Sequence, residues 1–438
     1  MIKQAGWVAM MMLAAVAACG DDSPGEPAGT VLGGAAASVV VDEVALDATG
    51  AAVVGGRYTG TLALGDATPV PAVAQVDAFV AKLDRAGDVL WSRAIGGVVP
   101  NNVGRDDSVS GVAILPDDSV IVTGYAEGTI DLGGGPRAGG HLGDSSDPGT
   151  LFVARLAADG THLWSQRWPG GDFGSYVGVP VIGADGSIYL AARFTGGATI
   201  GSRDLAFDTT EEVIVKLDAD GAVQWARPMR TDGAPDFYSA RGLAVDGDTL
   251  VVSGWLSGAV DLGTGPLAGV QEDRTWVARL ASADGDLIAV RAYASTETPV
   301  GPRTIAVTPG GGLVLGGAHL TRLAADLSIV GSTDLSGLDS YNDLTGRIAV
   351  RASGEIVWVS AHGFARLAAD GQELERATFT ADSDPSTTDE VELRDVAVGP
   401  DDEVAIVGGF LGRFTIAGQV LATAGDDRNP DGFVAWIQ

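Results

Sequence analysis

Apolar and polar positions along this chain recur as a block: an apolar run, a polar turn, and a second run that closes on tryptophan. The block reads Phe79-Val80-Ala81-Lys82-Leu83-Asp84 … Gly87 … Trp91, and again Phe152-Val153-Ala154-Arg155-Leu156 … Asp159-Gly160 … Trp164. It returns as Val213-Ile214-Val215-Lys216-Leu217-Asp218 … Gly221 … Trp225 and as Trp276-Val277-Ala278-Arg279-Leu280 … Asp284-Gly285. Weaker copies stand at Thr321-Arg322-Leu323 and Phe364-Ala365-Arg366-Leu367, and a last one, Phe433-Val434-Ala435-Trp436-Ile437, ends the chain. Each is preceded by another apolar pair with a tight turn, for example Val112-Ala113-Ile114-Leu115-Pro116-Asp117-Asp118-Ser119-Val120-Ile121-Val122. Short β-rich runs joined by Asp-Gly or Asp-Asp turns predict hairpins. Helical periodicity is nearly absent beyond residue 18.

Two hairpins per unit make four strands, a to d, and seven units predict an all-β chain. A four-stranded sheet repeated radially is a propeller blade, so the expected fold is a seven-bladed β-propeller of four-stranded blades. The seventh unit stops without a strand d. Gly29-Thr30-Val31-Leu32 at the other end has the character of one, and is expected to close the last blade. That pairing would cap two sheet edges at once.

Composition narrows the function classes. Lys+Arg is 27 and Asp+Glu 57, a formal net charge of −30, so attraction to nucleic-acid phosphates is excluded. With four His and one Cys, mechanisms built on a His cluster or a Cys pair start badly. The one cysteine, Cys19, ends an apolar stretch that follows Lys3 and is too short to span a bilayer. The division expected is 1–18 signal peptide, 19–28 flexible tether after a lipidated Cys19, and 29–438 a single propeller.

Val16-Ala17-Ala18-Cys19 resembles the lipobox of bacterial lipoproteins, with Val16 where leucine is more usual. Over about residues 29–438 the repeats resemble the bacterial seven-bladed β-propeller (SBBP) repeat lipoproteins, a family that implies an architecture and no common chemistry. Membership implies a lipid anchor in a cell envelope. Gly20 after the cysteine favours the outer membrane of a Gram-negative bacterium, with the acidic Asp21-Asp22 pair beside it. The Asp … Gly … Trp turn is also similar to the tryptophan-docking motif of quinoprotein propellers, one residue shorter and with Trp only in units one to three.

Function is sought where the repeats differ. Units one to four and seven insert a segment between strands b and c, each preceded by an aromatic: Tyr58, Tyr125, Phe194, Trp255 and Phe410. These rings either stack on carbohydrate or pack beneath the insertion. Units five and six have only short links, so a raised crown on one face is expected to break there, with His319 and His362 at the gap. Three residues before the repeated Ala of strand a stand Asp42, Ser110, Gly178, Arg241, Arg303, Gly346 and Arg394, with Arg347 beside Gly346. The candidate ligand site is therefore Arg241, Arg303, Arg347, Arg394, His319 and His362, whose guanidinium forks suit an anion. The competing reading is structural pairing of those arginines with Asp232, Asp236 or Glu392.

No catalytic residue is assigned, and no cofactor or metal is expected. Asp218-Ala219-Asp220-Gly221 looks like part of a calcium loop but lacks the remaining spaced ligands, and Asp144-Ser145-Ser146-Asp147 is the other candidate. The expected function is a monomeric, non-enzymatic binding or scaffolding module held at a membrane by lipid. Its partner would be a protein, or an anionic small molecule or glycan at the channel mouth over blades five and six. The alternatives are an enzyme, either a lyase or hydrolase on acidic glycans or a quinoprotein-like dehydrogenase, and an envelope-assembly lipoprotein.

Overall fold

The computed structural model describes residues 29–33, 37–64, 68–73, 75–96, 107–126, 129–136, 150–168, 177–195, 197–207, 210–229, 237–257, 274–294, 304–317, 319–338, 346–379, 390–416, 419–423 and 429–437. Four antiparallel strands, a to d, form each of seven blades. Blade one is Ser38–Leu46, Ala52–Thr59, Asp77–Leu83 and Val89–Ile95; blade two is Ser108–Ile114, Val120–Ala126, Thr150–Leu156 and His162–Trp168. Blade three is Val181–Ile182, Ile188–Thr195, Thr210–Leu217 and Val223–Met229; blade four is Phe237–Asp246, Thr249–Ser257, Arg274–Ala281 and Leu287–Ala294. Blade five is Thr304–Val307, Leu313–Gly316, His319–Leu323 and Ile329–Asp334; blade six is Arg347–Val350, Ile356–Val359, Gly363–Leu367 and Glu373–Thr378. Blade seven combines Val391–Val398, Val404–Phe410 and Asp431–Ile437 with Gly29–Leu32 as its strand d.

The closing strand pairs as the sequence predicts, Gly29 opposite Ala435 through Leu32 opposite Gly432. The ring is a seven-bladed propeller. Strands b and c are buried on both faces, as in Asp77–Leu83 and Asp431–Ile437, where every residue is buried. This is why their sequences run apolar without alternation. Strand d alternates instead, half-buried then exposed along Ile329–Asp334. The core lies between blades: Ala405, Val407, Val434 and Trp436 of blade seven pack on Val39, Val54, Tyr58 and Phe79 of blade one.

A girdle of polar contacts around the outside ties neighbouring blades together. The indole Nε1 of Trp91, Trp164 and Trp225 donates to the carbonyls of Ala158, Ala219 and Ser282, at 2.9, 2.9 and 3.1 Å. Two residues further along strand d, Arg93, Arg227 and Thr333 donate to the turn carbonyls of Gly160, Gly285 and Gly371. At the closing strand, Thr30 Oγ1 does the same to Gly87. Gly160 is required twice over: its φ is +80°, and a Cβ would sit 2.8 Å from the Trp91 ring. The Trp of one unit thus docks on the turn of the following unit. Inside blades one, four and six, the Lys or Arg of strand c reaches the acid of its own a–b turn: Lys82 to Asp47 at 2.7 Å, Arg279 to Asp246 at 2.7 Å, Arg366 to Glu355 at 2.8 Å.

The described insertion residues of blades two and three lie along the rim rather than in a raised crown, which corrects the expectation for those blades; the insertion of blade four lies outside the described residues. In blade three the hairpin Ala198–Ile200/Arg203–Leu205 bends outward, and Arg203 Nη2 donates to the Gln224 carbonyl of strand d at 2.9 Å. Its tip, Gly201, lies against Val223, the first residue of that strand. Gly134 lies against His162, the matching position in blade two, whereas Gln419 and Leu421 of blade seven lie against Gly29, about three residues further along strand d. The excursions of blades two and three therefore cross the full height of the disc along its rim. Each described insertion carries two apolar residues that bury there, such as Ile130 and Leu132 or Phe414 and Ile416, and burial is available at the splayed outer edges of blades rather than above them. Blade six has no such hairpin. There Leu335 and Leu338, around the short 3-10 turn Ser336–Leu338, supply the buried apolar residues.

Candidate functional site

Strand a begins and strand b ends on one face of the disc. The strand a residues singled out by sequence have a shared backbone cause. In blades one, two, four and seven the a–b ladder slips by one residue at Asp42, Ser110, Arg241 and Arg394. A bulge leaves one residue out of the ladder and re-aims its side chain. In blade three the same slip falls between the Val177–Ala192 bridge and the Val181–Tyr189 pair, bracketing Gly178. Gly346 directly precedes strand a of blade six. Arg303, Asp232 and Asp236 lie outside the described residues, as do Cys19 and the Asp144–Asp147 loop.

Of the three described arginine candidates, Arg241, Arg347 and Arg394, the last two enter one charged network. Arg347 of blade six donates to Glu43 Oε1 of blade one at 3.0 Å. Arg394 of blade seven donates to Glu392 Oε2 at 2.5 Å, and its Nε is 4.0 Å from Asp42 Oδ1. Arg57, from the end of strand b in blade one, completes the group with Nη1 3.7 Å from Asp42 Oδ2. Asp395 accepts from the Val44 amide at 3.0 Å and adjoins Glu43. Glu43, Arg347 and Asp395 occupy the same register on three strands a, two residues before the repeated Ala. Sequence reasoning missed Glu43, Asp395 and Arg57, although the first two were visible as acids next to bulge positions.

Burial sets the ionisation of this network. It pushes Glu43 well above the ordinary carboxyl range, more than Arg347 opposes, and the neighbouring Asp395 adds to the rise. Asp395 and Asp42 are raised by burial too, with Arg347 and Arg57 respectively pulling back. Arg347 is itself buried, yet Glu43 and Asp395 hold it charged. Both carboxyls therefore hold their protons to higher pH than exposed ones do, Glu43 the more strongly. Four carboxyls and three guanidinia meet here, so Arg347 and Arg394 face acids rather than forming a basic patch.

The histidines do not join it. His319 Nδ1 lies 3.5 Å from Asp334 Oδ1, its ladder partner across strands c and d of blade five. His362 is half-buried in the short link of blade six, where its carbonyl accepts from the Phe379 amide at 2.8 Å. Those short links are anchored by neighbours: Trp358 Nε1 donates to Gly317 at 2.9 Å, and the Leu393 amide to Ala361 at 2.8 Å. Arg241 is half-buried at its bulge in blade four.

The five aromatics separate into two groups. Tyr58, Phe194 and Phe410 are buried and face the preceding blade; Phe410 meets Phe414 of its insertion at 4.9 Å between ring centroids. These three pack beneath insertions. Tyr125 and Trp255 stand one position earlier in strand b and are half-buried, with Ala126 and Leu256 taking the buried place. Tyr125 packs toward blade three.

Among the described residues no group of three His, Cys, Asp or Glu side chains has metal-binding geometry. The Asp218 turn uses both carboxylate oxygens internally, accepting from the Ala222 amide and from Gln224 Nε2, each at 2.8 Å.

No known protein family matches the chain, and no curated protein matches its sequence. Solved structures resemble it in shape. A catalytically inactive virginiamycin B lyase from Staphylococcus aureus is 11% identical with TM-score 0.49, over 94% of this chain and 100% of that one. The WD40 propeller domain of Doa1 is 8% identical with TM-score 0.46, over 92% and 95%. The quinohemoprotein alcohol dehydrogenase of Comamonas testosteroni is 10% identical with TM-score 0.43, over 93% of this chain and 76% of that one. At such identities the likeness concerns the fold alone.

Proposed function

We propose that this chain is a lipid-anchored propeller of the bacterial envelope that binds a ligand or partner without chemistry, on the face where strands a begin and strands b end. One observation carries the reading: core and turns repeat from blade to blade, while the bulge residue of strand a and the strand b residue near it differ in chemistry around that face, Asp42, Ser110, Arg241 and Arg394 at the one and Arg57, Tyr125 and Trp255 at the other. A rigid disc with one variable face is the arrangement of a recognition scaffold. The lipobox-like Val16-Ala17-Ala18-Cys19 and the polar stretch behind it support the anchor, and with it kinship to the SBBP repeat lipoproteins.

The anionic ligand expected over blades five and six would have to displace Glu43 from Arg347 and Glu392 from Arg394. An enzyme acting on acidic glycans would need His319 released from Asp334. Expression in a Gram-negative host with labelled palmitate tests the anchor: label and membrane fractionation should vanish in Cys19→Ala. Turnover of an acidic glycan that is lost in His319→Ala and His362→Ala would overturn the non-enzymatic reading.

A further inference from the structure

One register of strand b links blades one to four. Arg57, Tyr125 and Trp255 stand opposite Val40, Ser108 and Ser239, each two residues before the bulge of its strand a. Arg193 holds that place in blade three, following Ala192, whose partner Val177 directly precedes Gly178. Around four successive blades the side chains therefore alternate arginine, tyrosine, arginine, tryptophan. All four are half-buried, and the Arg57 side chain is 39% exposed. Alternation along the strand turns all four toward the following blade, on the face that varies. Sequence alone conceals the series, because buried Tyr58 and Phe194 lie one residue away from Arg57 and Arg193.

Each arginine in this arc has an acid close by: Asp42 near Arg57, and Glu212 directly opposite Arg193 in the ladder. Its charges are balanced, within a chain of net charge −30 that repels polyanions. What remains is planar polar groups, guanidinium beside carboxylate, interleaved with two aromatic faces. Tyr, Trp and Arg are the residues that dominate recognition surfaces. Aromatic faces cover the C–H side of a pyranose, and guanidinium forks donate to its adjacent hydroxyls. Building on the binding reading above, we infer that the arc formed by Arg57, Tyr125, Arg193 and Trp255 binds an uncharged oligosaccharide laid across blades one to four.

The test is titration of the intact soluble chain, lacking residues 1–18 and carrying Cys19→Ser, against a panel of neutral hexasaccharides of gluco, xylo, manno and galacto configuration. Polygalacturonate is the acidic comparator. The expected result is binding of at least one neutral sugar that is insensitive to salt. Trp255→Ala and Tyr125→Ala should each weaken it roughly tenfold or more, about 1.4 kcal/mol. Trp255→Phe, which keeps a stacking face, should retain most of it, with unchanged melting as the control for folding. Arg57→Gln should weaken it without creating salt dependence. Tighter, salt-sensitive binding of polygalacturonate would overturn the inference in favour of an anion site. Failure of every sugar would overturn it too; a protein partner crosslinked to this face in the same experiment would leave the broader binding reading standing.

Discussion

Arg347 bonds Glu43 across 304 residues of chain, from blade six to blade one, passing in front of blade seven. Blades six and one are not neighbours, so the contact runs along the channel wall and places Asp395 of blade seven between them. The innermost strands near the closing blade are thereby joined by side chains as well as by packing.

Removing the cation from this group should be severe. Arg347→Met leaves Glu43 and Asp395 buried without a counter-charge, a change expected to cost about 3 kcal/mol in stability. Glu43→Gln in the same chain should recover part of the loss. Denaturant unfolding of the two single variants and the double variant measures the coupling.

The same pair gives a pH signature. Glu43 is raised in the folded state above its ordinary value of 4.5, so folding takes up a proton. That contribution is fully present below the unfolded value and is lost as pH rises through the folded one. Asp47 acts in the opposite sense: burial works upward, but bonds from Lys82, Thr49 and the Ala51 amide hold it low, and its contribution is lost toward acid. Melting between about pH 4 and 9 should therefore show Glu43→Gln gaining stability over the natural chain as pH rises. A difference that stays flat with pH would show that Glu43 titrates normally.

Gly160 and Trp91 should behave as one unit. Gly160→Ala forces a side chain into a left-handed backbone and against the Trp91 ring, at a cost of roughly 1–2 kcal/mol or more. Combining it with Trp91→Ala should relieve the steric share but not the backbone share. Chemical denaturation of the three variants separates the two.

The closing strand should govern solubility as well as stability. Leu32 is buried in the seam between blades seven and one, and Leu32→Ala should cost about 2–4 kcal/mol. A chain starting at residue 34 leaves Asp431–Ile437 as a bare apolar edge. Such edges pair with other chains, so light scattering should report association where the full propeller stays monodisperse.

Much of this molecule can be read from one dimension. The strand count, the c–d turns and the closure by Gly29–Leu32 follow from local pattern, because a hairpin is written in neighbouring residues. One finer feature was also legible: Tyr58, Phe194 and Phe410 precede the glycine after strand b by two positions, Tyr125 and Trp255 by three. With a side-chain period of two, that offset sends the rings to opposite faces.

Other features were settled by the ring itself. Arg347 looked like a surplus cation because its acid, Glu43, is brought to it by blade order and by the turn of strand a, whereas Glu392, two residues from Arg394, was already legible as a partner. The insertions looked like a crown because their sequence says where they leave the sheet and not where free apolar surface awaits them. Local chemistry determines strands and turns; which charges meet, and which face a residue serves, depends on contacts among blades far apart in the chain, and those exist only once the circle is closed.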